Sequence, residues 1–165
     1  MFEKFGEFDS YKELNEAAKG LLEEGDLKSL AVLAGENGID EEDVKDYIDG
    51  LVPELATASS AAYGRLQVEE NEIKKKAASE KMALSVIRNM VQVMCTDEDM
   101  AVAVMKKGKR IEKILEAMKN AASKNKSGNM GICCGTDREL QGIIRAYYLD
   151  TKNNFEKKIA DLYRG

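Results

Sequence analysis

The chain has 165 residues, 44% of them apolar, a net charge of −5, no histidine, one proline and three cysteines. That length and apolar share suffice for one or two domains with a buried core. No apolar run approaches the ~20 residues of a membrane span, and the start, Met1-Phe2-Glu3-Lys4-Phe5, lacks the basic-then-apolar order of a secretory leader.

Without histidine the chain lacks the commonest general base and the commonest metal ligand. The expectation is a protein that binds a macromolecule, with no catalysis and no cofactor. An odd number of thiols fits a reducing, cytoplasmic setting. The modest net charge hides two poles. Residues 1–73 carry 6 basic and 19 acidic side chains, a net of −13, and residues 74–165 carry 19 and 11, a net of +8. Such a split points to charged partners.

In chain order, Ser10 and Glu13 make a capping box ahead of Tyr11, Leu14, Ala18, Leu21 and Leu22, and Gly25 closes this first helix. Asp26 caps a second, with Leu27, Leu30, Leu33 and Ala34. Asp40 opens a third, with Val44, Tyr47 and Ile48, ending at Gly50. Pro53 suits the first turn of a fourth, carrying Leu55, Ala58, Ala62 and Leu66. The charged stretch Gln67 to Lys81 reads as a linker or as an exposed helix extension, since acidic residues precede basic ones and nothing breaks it.

An apolar helix follows with Leu84, Ile87, Met90, Val91 and Met94; then a short one capped by Thr96 and Asp99 and ended by Gly108. Ile111, Ile114, Leu115 and Met118 define an amphipathic helix. Glycines 128, 131 and 135 break the pattern before the capping box Thr136/Glu139 and a helix with Ile143, Ile144, Tyr147 and Tyr148. A last helix is expected from about Asn154. No segment alternates with period two. The expected fold is all-α: an acidic N-terminal helical subdomain over 1–66, a charged connection over 67–81 and a basic C-terminal subdomain over 82–165. Seven of the eight methionines fall between Met82 and Met130. Ordinary core filling explains this most simply; a homodimer through residues 84–94 is the alternative.

Chemistry-bearing motifs are few. Cys133-Cys134 lacks Cys-x-x-Cys spacing, and with Cys95 it gives three thiols and no imidazole, short of a zinc site. The glycine run into Thr136 lacks the lysine and spacing of a phosphate-binding loop. Asp40, Glu41, Glu42, Asp43, Asp46 and Asp49 lack the central glycine of a calcium loop and instead form an acidic helix surface suited to a basic partner. Lys106, Lys107, Lys109, Arg110 and Lys113 bracket Gly108, and Arg138 and Arg145 share a helix; this set suits phosphates, of DNA or of a partner complex, or else is a solvated basic face.

Five strings carry a resemblance: Phe2-Glu-Lys-Phe-Gly-Glu-Phe-Asp-Ser-Tyr-Lys-Glu-Leu-Asn15, Glu36-Asn-Gly-Ile-Asp-Glu-Glu-Asp-Val-Lys-Asp-Tyr-Ile-Asp-Gly50, Cys95-Thr-Asp-Glu-Asp-Met100, Cys134-Gly-Thr-Asp-Arg-Glu-Leu140 and Ile144-Arg-Ala-Tyr-Tyr148. Together they resemble Cas9-inhibiting anti-CRISPR proteins from mobile elements of gut bacteria. The resemblance implies a stoichiometric inhibitor that binds Cas9 and blocks target recognition or cleavage, and no residue roles are carried over from it. Cas9 offers a basic heteroduplex channel and an arginine-based reader of the PAM, which the −13 half suits better than the +8 half. The alternative expectation is a DNA-binding accessory or regulatory protein of a mobile element.

Overall fold

Side chains that accept otherwise orphaned amides open most of the helices, which is why caps place the elements well. The computed structural model describes residues 2–125 and 135–163, and every regular element among them is helical. The first three helices are α1 (Tyr11–Glu23), α2 (Leu27–Glu36) and α3 (Glu41–Ile48). Then come α4 (Ala58–Ile73), α5 (Ala78–Met94) and α6 (Glu98–Met105). The last three are α7 (Ile111–Lys124), α8 (Asp137–Leu149) and α9 (Lys152–Leu162). Ser10 accepts from the Glu13 N–H at 3.2 Å, while the Glu13 carboxylate reaches back to Asp9 N–H at 2.9 Å rather than to Ser10. The Thr136/Glu139 box forms in both directions. No helix among the described residues is long and apolar enough to cross a membrane.

Three starts differ from the sequence reading. α4 begins five residues after Pro53, capped by Thr57 and Ser60 in a reciprocal box. The reason lies far away in sequence: the Asn15 side chain accepts from Ala56 N–H at 3.0 Å and donates to Ala56 C=O at 2.8 Å, which holds the chain out of helix there. α6 is capped by Asp97 and α9 by Thr151. The glycine run from Gly128 and the Cys133-Cys134 pair lie outside the described residues.

Two apolar clusters meet along α4. One gathers Leu14, Leu30, Leu33, Val44 and Tyr47 of α1–α3 with Leu55, Ala61 and Met105. The other gathers Ala62, Leu66 and Ile73 of α4 with side chains of α5–α9, including Leu84, Val91, Ile114 and Ile144. Each fully buried Leu or Ile contributes about 2 kcal/mol from burial. Met105 comes from α6 yet sits in the first cluster, so α6 ties the two halves together. Residues 67–73 are the last two turns of α4, with Glu69 and Ile73 buried; residues 78–81 are the first turn of α5. The α2–α3 turn lies backbone to backbone on α4: a Cβ on Gly38 would fall 2.4 Å from Gly64 O, and one on Gly64 would fall 2.2 Å from Asn37 O. Gly38 also has φ +68°, in the left-handed region that favours glycine.

Candidate functional site

The acidic residues are brought together on one exposed helix. Val44 and Tyr47 bury the inner side of α3, leaving Asp40, Glu41, Glu42, Asp43 and Asp49 exposed and Asp46 half-buried. Asp40 precedes the helix and Glu41, Glu42 and Asp43 fill its first turn, where negative charge meets the positive end of the helix dipole. Among the described residues, none of the six carboxylates forms an ion pair. The Tyr47 hydroxyl is pushed up first by burial and then by Glu23 and Glu54, two more carboxylates on this side of the molecule.

The end of α3 adds a feature that charge counting misses. Gly50, at φ +72°, donates to Tyr47 C=O at 3.2 Å, and Leu51 N–H donates to Asp46 C=O at 2.9 Å. This is the Schellman arrangement, in which the residue after the glycine usually packs on an apolar residue in the last turn. Here that position is Asp46, so Leu51 has no apolar seat on the helix and stands 72% exposed beside the half-covered Val52. The signal was available in the sequence as Tyr-Ile-Asp-Gly-Leu-Val, an apolar pair directly after a helix stop.

Of the basic residues, Lys109, Arg110, Lys113 and Arg145 make contacts within the chain, whereas Lys106, Lys107 and Arg138 form no ion pair among the described residues. Lys106 and Lys107 are exposed on the α6–α7 turn. Lys109 donates to Tyr147 C=O and lies 4.5 Å from the centre of its ring. Burial, then Lys106 and Lys113, lower the Lys109 pKa. Lys113 donates to Gly108 C=O at 2.8 Å. Arg145 reaches Asp97 at 3.4 Å, and Arg138 is exposed on the same helix. The cleft between the α6–α7 turn, α7 and α8–α9, about 750 Å³, mixes Lys107, Lys109 and Lys152 with Glu116, Asp150 and Glu156, so its charge is not of one sign.

No family model, curated protein or solved structure matches this chain.

Arg110 is half-buried and engaged within the chain. Its guanidinium is clamped by Glu7 at 2.7 and 2.8 Å. Glu7 also pairs with Arg65, which is 1% exposed and donates to Phe8 C=O at 2.9 Å. Both guanidiniums face the Phe2 ring, at 5.0 and 5.9 Å. Burial pushes the Glu7 carboxyl up, but the Arg110 hydrogen bonds and the charges of Arg65 and Arg110 outweigh it and hold the group below its ordinary value. Below this cluster Glu69 is buried and accepts from Ile111 N–H at 3.0 Å. Burial pushes its carboxyl up to about 7. The first amide of α7 is therefore taken by a carboxylate of the same chain. Arg65 and Glu69, four residues apart in the otherwise small and apolar Ala58–Leu66 stretch and its continuation, were the one sequence hint of this network.

Cys95 is buried and burial pushes its thiol up to about 12, so it stays protonated and unreactive.

Proposed function

We propose that this chain is a non-catalytic, stoichiometric inhibitor of Cas9, docking α3 and Leu51 on a basic nucleic-acid-binding surface of that enzyme. The observation that carries this reading is the Leu51 side chain standing free at the edge of six unpaired carboxylates. A protein interface takes its affinity from a few apolar anchors and its steering from complementary charge. Carboxylates spaced along a helix compete for the arginines and lysines that hold phosphates. The resemblance of the five sequence strings to Cas9-inhibiting proteins names the partner.

Cleavage by guide-loaded Cas9 should fall at near-stoichiometric amounts of the protein. Unimpeded cleavage by several Cas9 orthologues in its large excess would overturn the reading. The competing reading, a DNA-binding accessory protein, rests on the exposed Lys106 and Lys107 beside Lys109 and Lys113. It requires retardation of duplex DNA without Cas9, weakening steeply with salt.

A further inference from the structure

Helix α5 is apolar on two opposite sides. Leu84, Ile87 and Val91 face the core. At about 100° per residue, Met82, Val86, Asn89 and Val93 share the reverse side. There Met82 is 70% exposed, Val86 47% and Val93 71%. A helix apolar on both sides belongs in a setting where both are covered.

The spacings from Met82 to Val86, Asn89 and Val93 are four, three and four residues, the alternation of a coiled-coil seam. They read the same from either end, so a reversed copy of the helix sets Met82 against Val93 and Val86 against Asn89. The ends of the helix differ in charge. Lys81 lies in the first turn of α5, and Glu98 and Asp99 follow its end; Lys74, Lys75, Lys76 and Asp97 near the same ends already pair with Glu70, Glu72, Glu112 and Arg145 of the chain. Among the described residues, Lys81, Glu98 and Asp99 form no ion pair within the chain. Antiparallel pairing brings the basic end of one helix to the acidic end of the other, whereas parallel pairing puts like charges together. An apolar groove of about 370 Å³ beside the stripe, lined by Met82, Ala83, Val86, Leu115, Leu140 and Leu162, gives entering side chains depth.

We infer that α5 is the self-association surface of this protein, pairing antiparallel and two-fold with α5 of a second copy. Each contact then occurs twice, as a closed symmetric dimer requires.

The test uses the full chain and does not depend on what α3 binds. Light scattering over a dilution series should give a mass approaching twice the 18.3 kDa chain at the concentrated end. Val93→Glu should return it to the single-chain mass with its helical circular dichroism intact. In a Cys133→Ser, Cys134→Ser background, Met82→Cys with Val93→Cys should give a covalent dimer on mild oxidation. Met82→Cys alone should not, because antiparallel pairing holds the two copies of that residue roughly 16 Å apart. A single-chain mass at every concentration overturns the inference; so does a dimer cross-linked through Met82→Cys alone, which means parallel helices.

Discussion

Glu7, on the irregular segment before α1, clamps both terminal nitrogens of Arg110 across 103 positions of sequence, at 2.7 and 2.8 Å. Asp9 on the same segment accepts from Lys107 N–H at 2.8 Å, and Glu7 accepts from Gly108 N–H at 3.2 Å. The N-terminal segment is thus a strap that holds the α6–α7 turn. Through Arg65 it holds α4 as well. Glu7→Gln removes a carboxylate shared by two guanidiniums, one of them almost fully buried. Breaking a buried pair from one side costs about 3 kcal/mol. Urea unfolding should show that loss, and amide exchange at Lys107 and Gly108 should speed up. A loss under ~1 kcal/mol, the range of exposed pairs, would mean that the strap is dispensable.

Glu69 sets an opposite pH trend from the usual carboxylate. Its folded-state value is raised from 4.5 to about 7, by burial first and against the pull of Ile111 N–H, Arg110 and Arg65. The folded state therefore holds the proton more tightly than the unfolded chain. Its contribution to stability is complete below pH 4.5 and is lost as pH rises through about 7. The shift corresponds to roughly 3 kcal/mol. Glu69→Gln keeps an acceptor for Ile111 N–H without the charge, so it should flatten the fall in stability between those two pH values and stabilise the protein above pH 7. Parallel pH–stability curves for the two proteins would refute the assignment.

Glycines 64 and 20 both lie within helices, yet alanine should act on them with opposite sign. A Cβ at Gly64 meets Asn37 O at 2.2 Å and Gly38 O at 3.0 Å, both backbone atoms that cannot swing aside. Gly64→Ala must push α4 away from the α2–α3 turn and should cost about 3 kcal/mol. A Cβ at Gly20 meets nothing within 4 Å, so Gly20→Ala should stabilise α1 by about 0.5–1 kcal/mol. Thermal melts of the two variants check both signs.

Much of the helical frame was legible because its determinants are local. Ser10, Asp26 and Thr136 announce their helices through amides three residues away. The start of α4 was not, because Asn15 holds Ala56 out of helix from 41 positions away. The candidate surfaces divide in the same manner. The α3 carboxylates sit on a short amphipathic helix whose inner side is plain in the sequence, so their exposure follows from periodicity. The roles of Arg110 and Lys109 depend on Glu7 and Tyr147, 103 and 38 residues away, which no local pattern reveals. Arg65 is buried under the strap and Glu69 under the start of α7, through partners 58 and 42 residues away.

Paired variants distinguish the two halves of the charge split. Leu51 is 72% exposed and its replacement disturbs no packing within the fold, so Leu51→Asp should change stability by no more than about 0.5 kcal/mol. If α3 and Leu51 form the docking surface, inhibition of Cas9 by this variant should weaken by at least ~tenfold, about 1.4 kcal/mol of lost binding. Asp46→Lys with Asp49→Lys, which spares the first turn of α3 and its favourable dipole contact, should act in the same direction and more strongly at low salt, where unscreened charge matters most. Lys106→Glu with Lys107→Glu should leave inhibition unchanged. The reverse pattern, with inhibition insensitive to α3 but lost with the lysines, would move the interaction to the α6–α7 turn and make phosphate contact the basis of the activity.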